Sequence, residues 1–137
     1  MRYMMFMYPA VKDEADWSPD VEAVAAMGAF NQELTEAGVL LSLDGLHPAS
    51  EGARVFFSGG DATVTDGPFA ETKEILGGYW LIDVESKDAA LAWAARCPAA
   101  DGDMIEVRRV YEMSDFPADV QEAGKLSQQP PGQTAAR

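Results

Sequence analysis

The chain has 137 residues, 47% hydrophobic and 24% charged, enough for one globular core and too few for two. Its net charge of −13 excludes the clustered basic surface that nucleic acid or an anionic membrane requires. Cys97 is the single cysteine, so no internal disulfide can form, which fits a reducing, cytoplasmic setting.

The start, MRYMMFMYP, holds an unbroken apolar run of strand length closed by Pro9. It is short for a secretory core and lacks a small-residue cleavage site, and no stretch approaches the roughly 20 apolar residues of a membrane span. Residues 11–17 are polar and acidic and read as a loop. Ser18 and Pro19 then supply a helix N-cap and a first-turn proline, with Asp20 and Glu22 beside them. Val24, Met27, Phe30, Leu34 and Ala37 recur at three- and four-residue steps, an apolar helix face, and Gly38 closes it.

Residues 39–46 read as a second strand and 54–57 as a third. Ser58-Gly59-Gly60-Asp61 forms a turn, and 62–65 continue as extended chain. Residues 78–84 form another strand. Ser86 caps a second helix whose Ala90, Leu91, Ala94 and Cys97 share a face, stopped by Pro98. Residues 104–111 form the last strand. The order is α+β, ferredoxin-like, a βαββαβ plan with an extra hairpin, over residues 1–113. Residues 114–137 are polar with no periodic apolar face and read as an extended or disordered tail.

A ferredoxin-like sheet carries its helices on one face, so its strands should alternate apolar and polar residues. The first strand does not: Tyr3, Met5 and Met7 point one way, Met4, Phe6 and Tyr8 the other. Trp80, Ile82 and Val84 oppose Tyr79 and Leu81 in the same manner. Both faces need cover, which a second copy related by two-fold symmetry supplies economically; a tail laid over the sheet is the other solution.

Four blocks carry a resemblance: RYMMFMY, FNQELTEAGVLLSLDGL, VTDGPFAETKEILGGYWLIDV and ALAWAARCPAA. Together they resemble the DGPF-domain branch of the YCII-related proteins over about residues 3–110. The resemblance implies a dimeric α+β barrel, two ferredoxin-like subunits packed sheet against sheet with a cleft beside the interface. It also implies a His–Asp pair in that cleft, suited to proton transfer or elimination on small molecules. The family's histidine lies in the first helix, where this chain has Met27 near the matching place. DGPF proteins further resemble partners encoded beside extracytoplasmic-function sigma factors, which points to a regulatory setting.

Several side chains are candidates for chemistry. His47, the only histidine, carries an imidazole, a group suited to acid–base work near neutral pH, and Asp44 is near in sequence, though regular alternation would turn the two to opposite sides. A lone His before Pro48 also fits an ordinary surface position. Asp66 opens an Asp-Gly-Pro turn and is the second catalytic candidate, although turn formation alone accounts for it. Phe69 is too large for a turn's needs and should anchor the loop. Glu71, Lys73 and Glu74 fit either a polar rim or a solvated charge run. Arg54, Phe69, Glu71, Lys73 and Tyr79 are the ligand-contact candidates, around an apolar cleft for a small aromatic or lactone-like molecule. One His and one Cys give no zinc set, no carboxylate run matches a calcium loop, and the glycine pairs form no phosphate-binding fingerprint, so no metal or cofactor is expected.

Overall fold

The computed structural model describes residues 1–11, 13–69 and 74–124. Strands β1 (Arg2–Tyr8), β2 (Leu40–Gly45), β5 (Gly78–Asp83) and β6 (Met104–Arg109) form one sheet in the order β2-β5-β1-β6. Each neighbouring pair is antiparallel. Strands β3 (Ala53–Ser58) and β4 (Asp61–Asp66) form a separate two-stranded hairpin inserted between β2 and β5. The ferredoxin-like α+β arrangement expected from the strand and helix order is present.

Helix α1 (Val21–Glu36) begins two residues later than the Ser18-Pro19 signal implies. Asp20 is the N-cap, and its carboxylate accepts the Ala23 amide at 2.7 Å. A carboxylate one step from the first turn satisfies an orphan donor and opposes the helix dipole at once, so it wins the cap from Ser18. Helix α2 (Lys87–Ala95) starts where expected, with the Ser86 hydroxyl accepting the Ala89 amide at 3.1 Å.

Both helices cover one face of the sheet. Met5, Leu34, Ile82 and Ala90 are completely buried, and Tyr3, Phe30, Trp80 and Val84 nearly so. The Phe30 ring meets Trp80 edge-on at 5.8 Å between centroids, a favourable aromatic geometry. Leu91 departs from the expected α2 face: it is exposed, whereas Ala90, Ala94 and Cys97 lie on the packed side as expected and Ala89 and Trp93 join them. The small alanines bring α2 close to the sheet, and the bulky Trp93 packs at the edge of the core, 6.5 Å from Phe30 between ring centroids.

On the opposite face Met4, Phe6, Tyr8, Tyr79 and Leu81 are only half-buried. Residues 114–124, expected as the start of an extended or disordered tail, carry part of a turn and a short helix. Met113–Asp115 form a 3-10 turn closed by a reciprocal Glu112/Asp115 capping box, and α3 (Ala118–Ala123) follows. Arg109 holds Asp115 at 2.6 Å, and Tyr111 stacks on Phe116 at 4.7 Å. These local contacts order a segment that has no apolar periodicity to announce it. The remainder of that tail, from 125 on, lies outside the described residues.

Candidate functional site

Residue 77 draws three strands together at one end of the sheet. Its amide donates to the Met7 carbonyl at 2.8 Å, and its own carbonyl accepts the Leu46 amide at 2.9 Å. A Cβ at Gly77 would sit 2.8 Å from the Pro9 ring, and one at Gly78 would sit 2.8 Å from the Asp44 carbonyl oxygen. The Gly-Gly pair is therefore a requirement of close backbone approach.

Beside this seam, a cleft of about 1060 Å³ opens between the sheet end and the first half of α1. That is at the upper end of the roughly 300–1,000 Å³ typical of ligand pockets. Met7, Val24, Met27, Leu43 and Leu46 give it apolar walls, and Trp17 and Trp80 give it two indoles. Each indole is tied down. Trp17 Nε1 donates to the Leu46 carbonyl at 3.0 Å, and Trp80 Nε1 donates to Asn31 Oδ1 at 2.8 Å. Trp17 reaches its place because Asp13 caps a 3-10 turn over Glu14–Asp16, where the acidic composition had implied plain loop.

Polar groups edge the cleft: Glu14, Asn31, Asp44, His47, Tyr79 and Asp103. Tyr79 Oη donates to Asp44 Oδ2 at 2.7 Å, and this bond to a carboxylate raises the phenol above its usual pKa, partly offset by Ser42. Asp103 accepts the Ala10 amide on one oxygen and the Ala100 amide on the other, both at 2.8 Å, and so staples two loops. Glu14 accepts the Ser50 hydroxyl.

The candidate residues fall into two places. His47 and Tyr79 line the cleft. Asp44 lines it too, because β2 ends at Gly45 and strand alternation does not carry on to His47. Asp44 spends its hydrogen bond on Tyr79, and among the described residues His47 has no carboxylate partner to orient it.

Arg54, Asp66 and Phe69 lie away from the cleft, on and beside the β3–β4 hairpin. The Arg54 guanidinium sits 3.8 Å over the Phe69 ring, which is half-buried. A Cβ at Gly67 would overlap the Ala49 carbonyl, so the Asp-Gly-Pro turn packs its backbone against the segment before β3. Glu71 and Lys73 lie outside the described residues. The cleft residues that sequence reasoning did not select are Trp17, Asn31, Trp80 and Asp103. Trp80 signalled only core, and Trp17 carried no signal beyond its neighbours' polarity.

No group of three His, Cys, Asp or Glu side chains positioned for a metal occurs among the described residues. No helix there is long and apolar enough to cross a membrane. Comparison with known proteins gives two findings. The chain is 38% identical over 96 residues to an uncharacterized protein of Rhizobium meliloti (strain 1021), covering 69% of this chain and 77% of that one. The family model of the YCII-related domain matches residues 1–114, from the first strand to the turn after β6, and the chain belongs to that family.

Proposed function

We propose that the protein is a cytoplasmic homodimer that binds a small, largely apolar molecule in the cleft and needs no cofactor. The observation that carries this reading is a concave site with apolar walls, lined by two indoles that are hydrogen-bonded in place. The half-buried Met4, Phe6, Tyr8 and Leu81 support a second copy as the cover of the open sheet face. The Asp66-Gly67-Pro68-Phe69 turn supports membership of the DGPF branch.

Acid–base turnover of lyase or isomerase type is weak or absent in this reading. Met27 lines the cleft near the place where the resemblance puts a histidine, and a thioether takes no proton. His47 is the one imidazole available, without an orienting carboxylate.

Calorimetric titration of small phenols, quinones, lactones and amines tests binding, and the same compounds test turnover. Saturable binding without turnover is expected. Turnover abolished by His47→Ala would make the protein an enzyme, and no binding by any class would remove the cleft reading. Sedimentation should give about twice the 14.8 kDa chain mass, and a monomer would remove the dimer.

A second reading has its own observation. Phe56, Phe57 and Val64 on the β3–β4 hairpin are exposed, which fits a non-enzymatic interaction or regulatory module, including one linked to an extracytoplasmic-function sigma factor. Loss of partner binding on Phe57→Ser, with small-molecule binding unchanged, would favour it.

A further inference from the structure

We propose that the cleft selects an organic cation, an ammonium group on an aromatic or aliphatic body; this rests on the cleft being a small-molecule site. The first reason is the sign of its charges. Among the described residues its lining holds three carboxylates, Glu14, Asp44 and Asp103, one imidazole, and neither Lys nor Arg. The whole chain carries −13, so the surrounding field has the same sign.

The second reason is that the positive end of a helix beside the cleft is already neutralised. Ala23 and Val24 of the first turn of α1 line the cleft, but the Ala23 amide is taken by the Asp20 carboxylate, and Glu22 adds a second negative charge there. An anionic ligand therefore meets no free amide from Ala23 or Val24, the two first-turn residues that line the cleft.

The third reason is aromatic. With both indole N–H groups committed to protein acceptors, neither Trp17 nor Trp80 has a donor left to offer a ligand; Trp80 is almost fully buried, and the part-exposed Trp17 supplies the ring surface. Ring faces attract cations, and indole does so best. The Asp44 and Asp103 carboxylates are bonded to Tyr79 and to backbone amides, so they act through their charge at a distance and leave the apolar body to the walls. A phenolate or carboxylate would bury its charge among like charges, and a neutral molecule would gain only the apolar contacts.

The test uses three probes with one ring system: 1-naphthylmethylamine, charged at neutral pH, 1-naphthalenemethanol, neutral, and 1-naphthoate, anionic. Each is titrated calorimetrically into the full chain at low salt, while the indole N–H signals of Trp17 and Trp80 are followed by NMR, with Trp93 outside the cleft as internal control. The ammonium should bind tightest and the carboxylate weakest, at least about tenfold apart, with both cleft indoles shifting. The Glu14→Gln/Asp44→Asn double variant should narrow the gap, and so should added salt. Equal affinities, or a preference for the carboxylate, overturn the cation preference and leave the cleft as a ligand site. Shifts confined to Trp93 place the probes elsewhere and overturn it too. No binding of any probe overturns the cleft reading itself.

Discussion

The four-stranded sheet and the β3–β4 hairpin are both antiparallel and both rich in apolar side chains, but they are held in different ways. In the sheet, β1 and β5 set Met5 and Ile82 under two helices at zero exposure. In the hairpin every residue is exposed, Phe57 at 81% and Val64 at 64%. Its described support includes the backbone ladder, a tight turn at Gly59 and Gly60 with both φ angles positive, and the stack of Arg54 in β3 on Phe69 just past β4. An isolated two-stranded hairpin is marginal in water. The contrast teaches that apolar content alone does not make a core: among the described residues, one face of the sheet has a covering layer of helices and the hairpin has none.

The sharpest way to break this contrast is to empty each region of one side chain. Ile82→Ala should destabilise the fold by about 2–5 kcal/mol in denaturant unfolding. Phe57→Ala should stay within about 0.5 kcal/mol of the parent at high dilution. A large loss there that grows with protein concentration would show the hairpin covered by another copy.

The packed side of α2 gives the next effect. Burial, with the charge of Asp103, pushes the Cys97 thiol up to about 11. At mildly alkaline pH its alkylation should run about a hundredfold slower than that of an ordinary thiol. The rate should keep rising past pH 10. A plateau near the ordinary thiol range would show that α2 opens readily.

At the hairpin's foot, Phe69→Ala should cost about 1 kcal/mol, the value of a part-exposed cation–π contact, and not the roughly 3 of a buried ring. A cost near the larger figure would mean that the loop is anchored in a pocket.

The smallest effect lies at the sheet's other end, where Arg2 on β1 clasps Glu112 at 2.6 and 3.1 Å. The guanidinium hydrogen bond holds the Glu112 carboxyl below its ordinary value. A depressed acid contributes fully above its unfolded pKa and loses that contribution as pH falls through the folded one. Acid unfolding of Glu112→Gln should therefore track the parent less steeply just below the ordinary carboxylate range. Both side chains are more than a third exposed, so the difference is small and fades in salt.

Strand order and both long helices were legible because their signals are local: an apolar period, a cap, a stop. The two-sided apolar strands were legible for the same reason. Most of what escaped depends on contacts between distant residues. Trp17, delivered by the Asp13-capped turn, is held by an indole bond to a carbonyl 29 residues away. The separation of Arg54, Asp66 and Phe69 from His47 and Tyr79 follows from where the hairpin leaves the sheet, which no spacing along the chain encodes. Asp44 looked like a histidine's partner and is a tyrosine's, because the register of β2 on β5 sets Asp44 opposite Tyr79. The order in residues 113–124 is the exception: it comes from short-range pairing among Arg109, Glu112 and Asp115, which leaves no apolar period to read.

The cleft is assembled from six stretches of chain, around Met7, Trp17, Met27, Leu43, Gly77 and Asp103. Closing it requires nearly every loop of the domain to be closed first, so its walls come together late in folding, after the entropy of those loops has been lost. A molecule seated there bridges the start, middle and end of the domain and is lost by any opening that parts them. Such a ligand slows unfolding of the entire domain, well beyond the residues that it touches, and an intact cleft serves as a signature that the chain has finished folding.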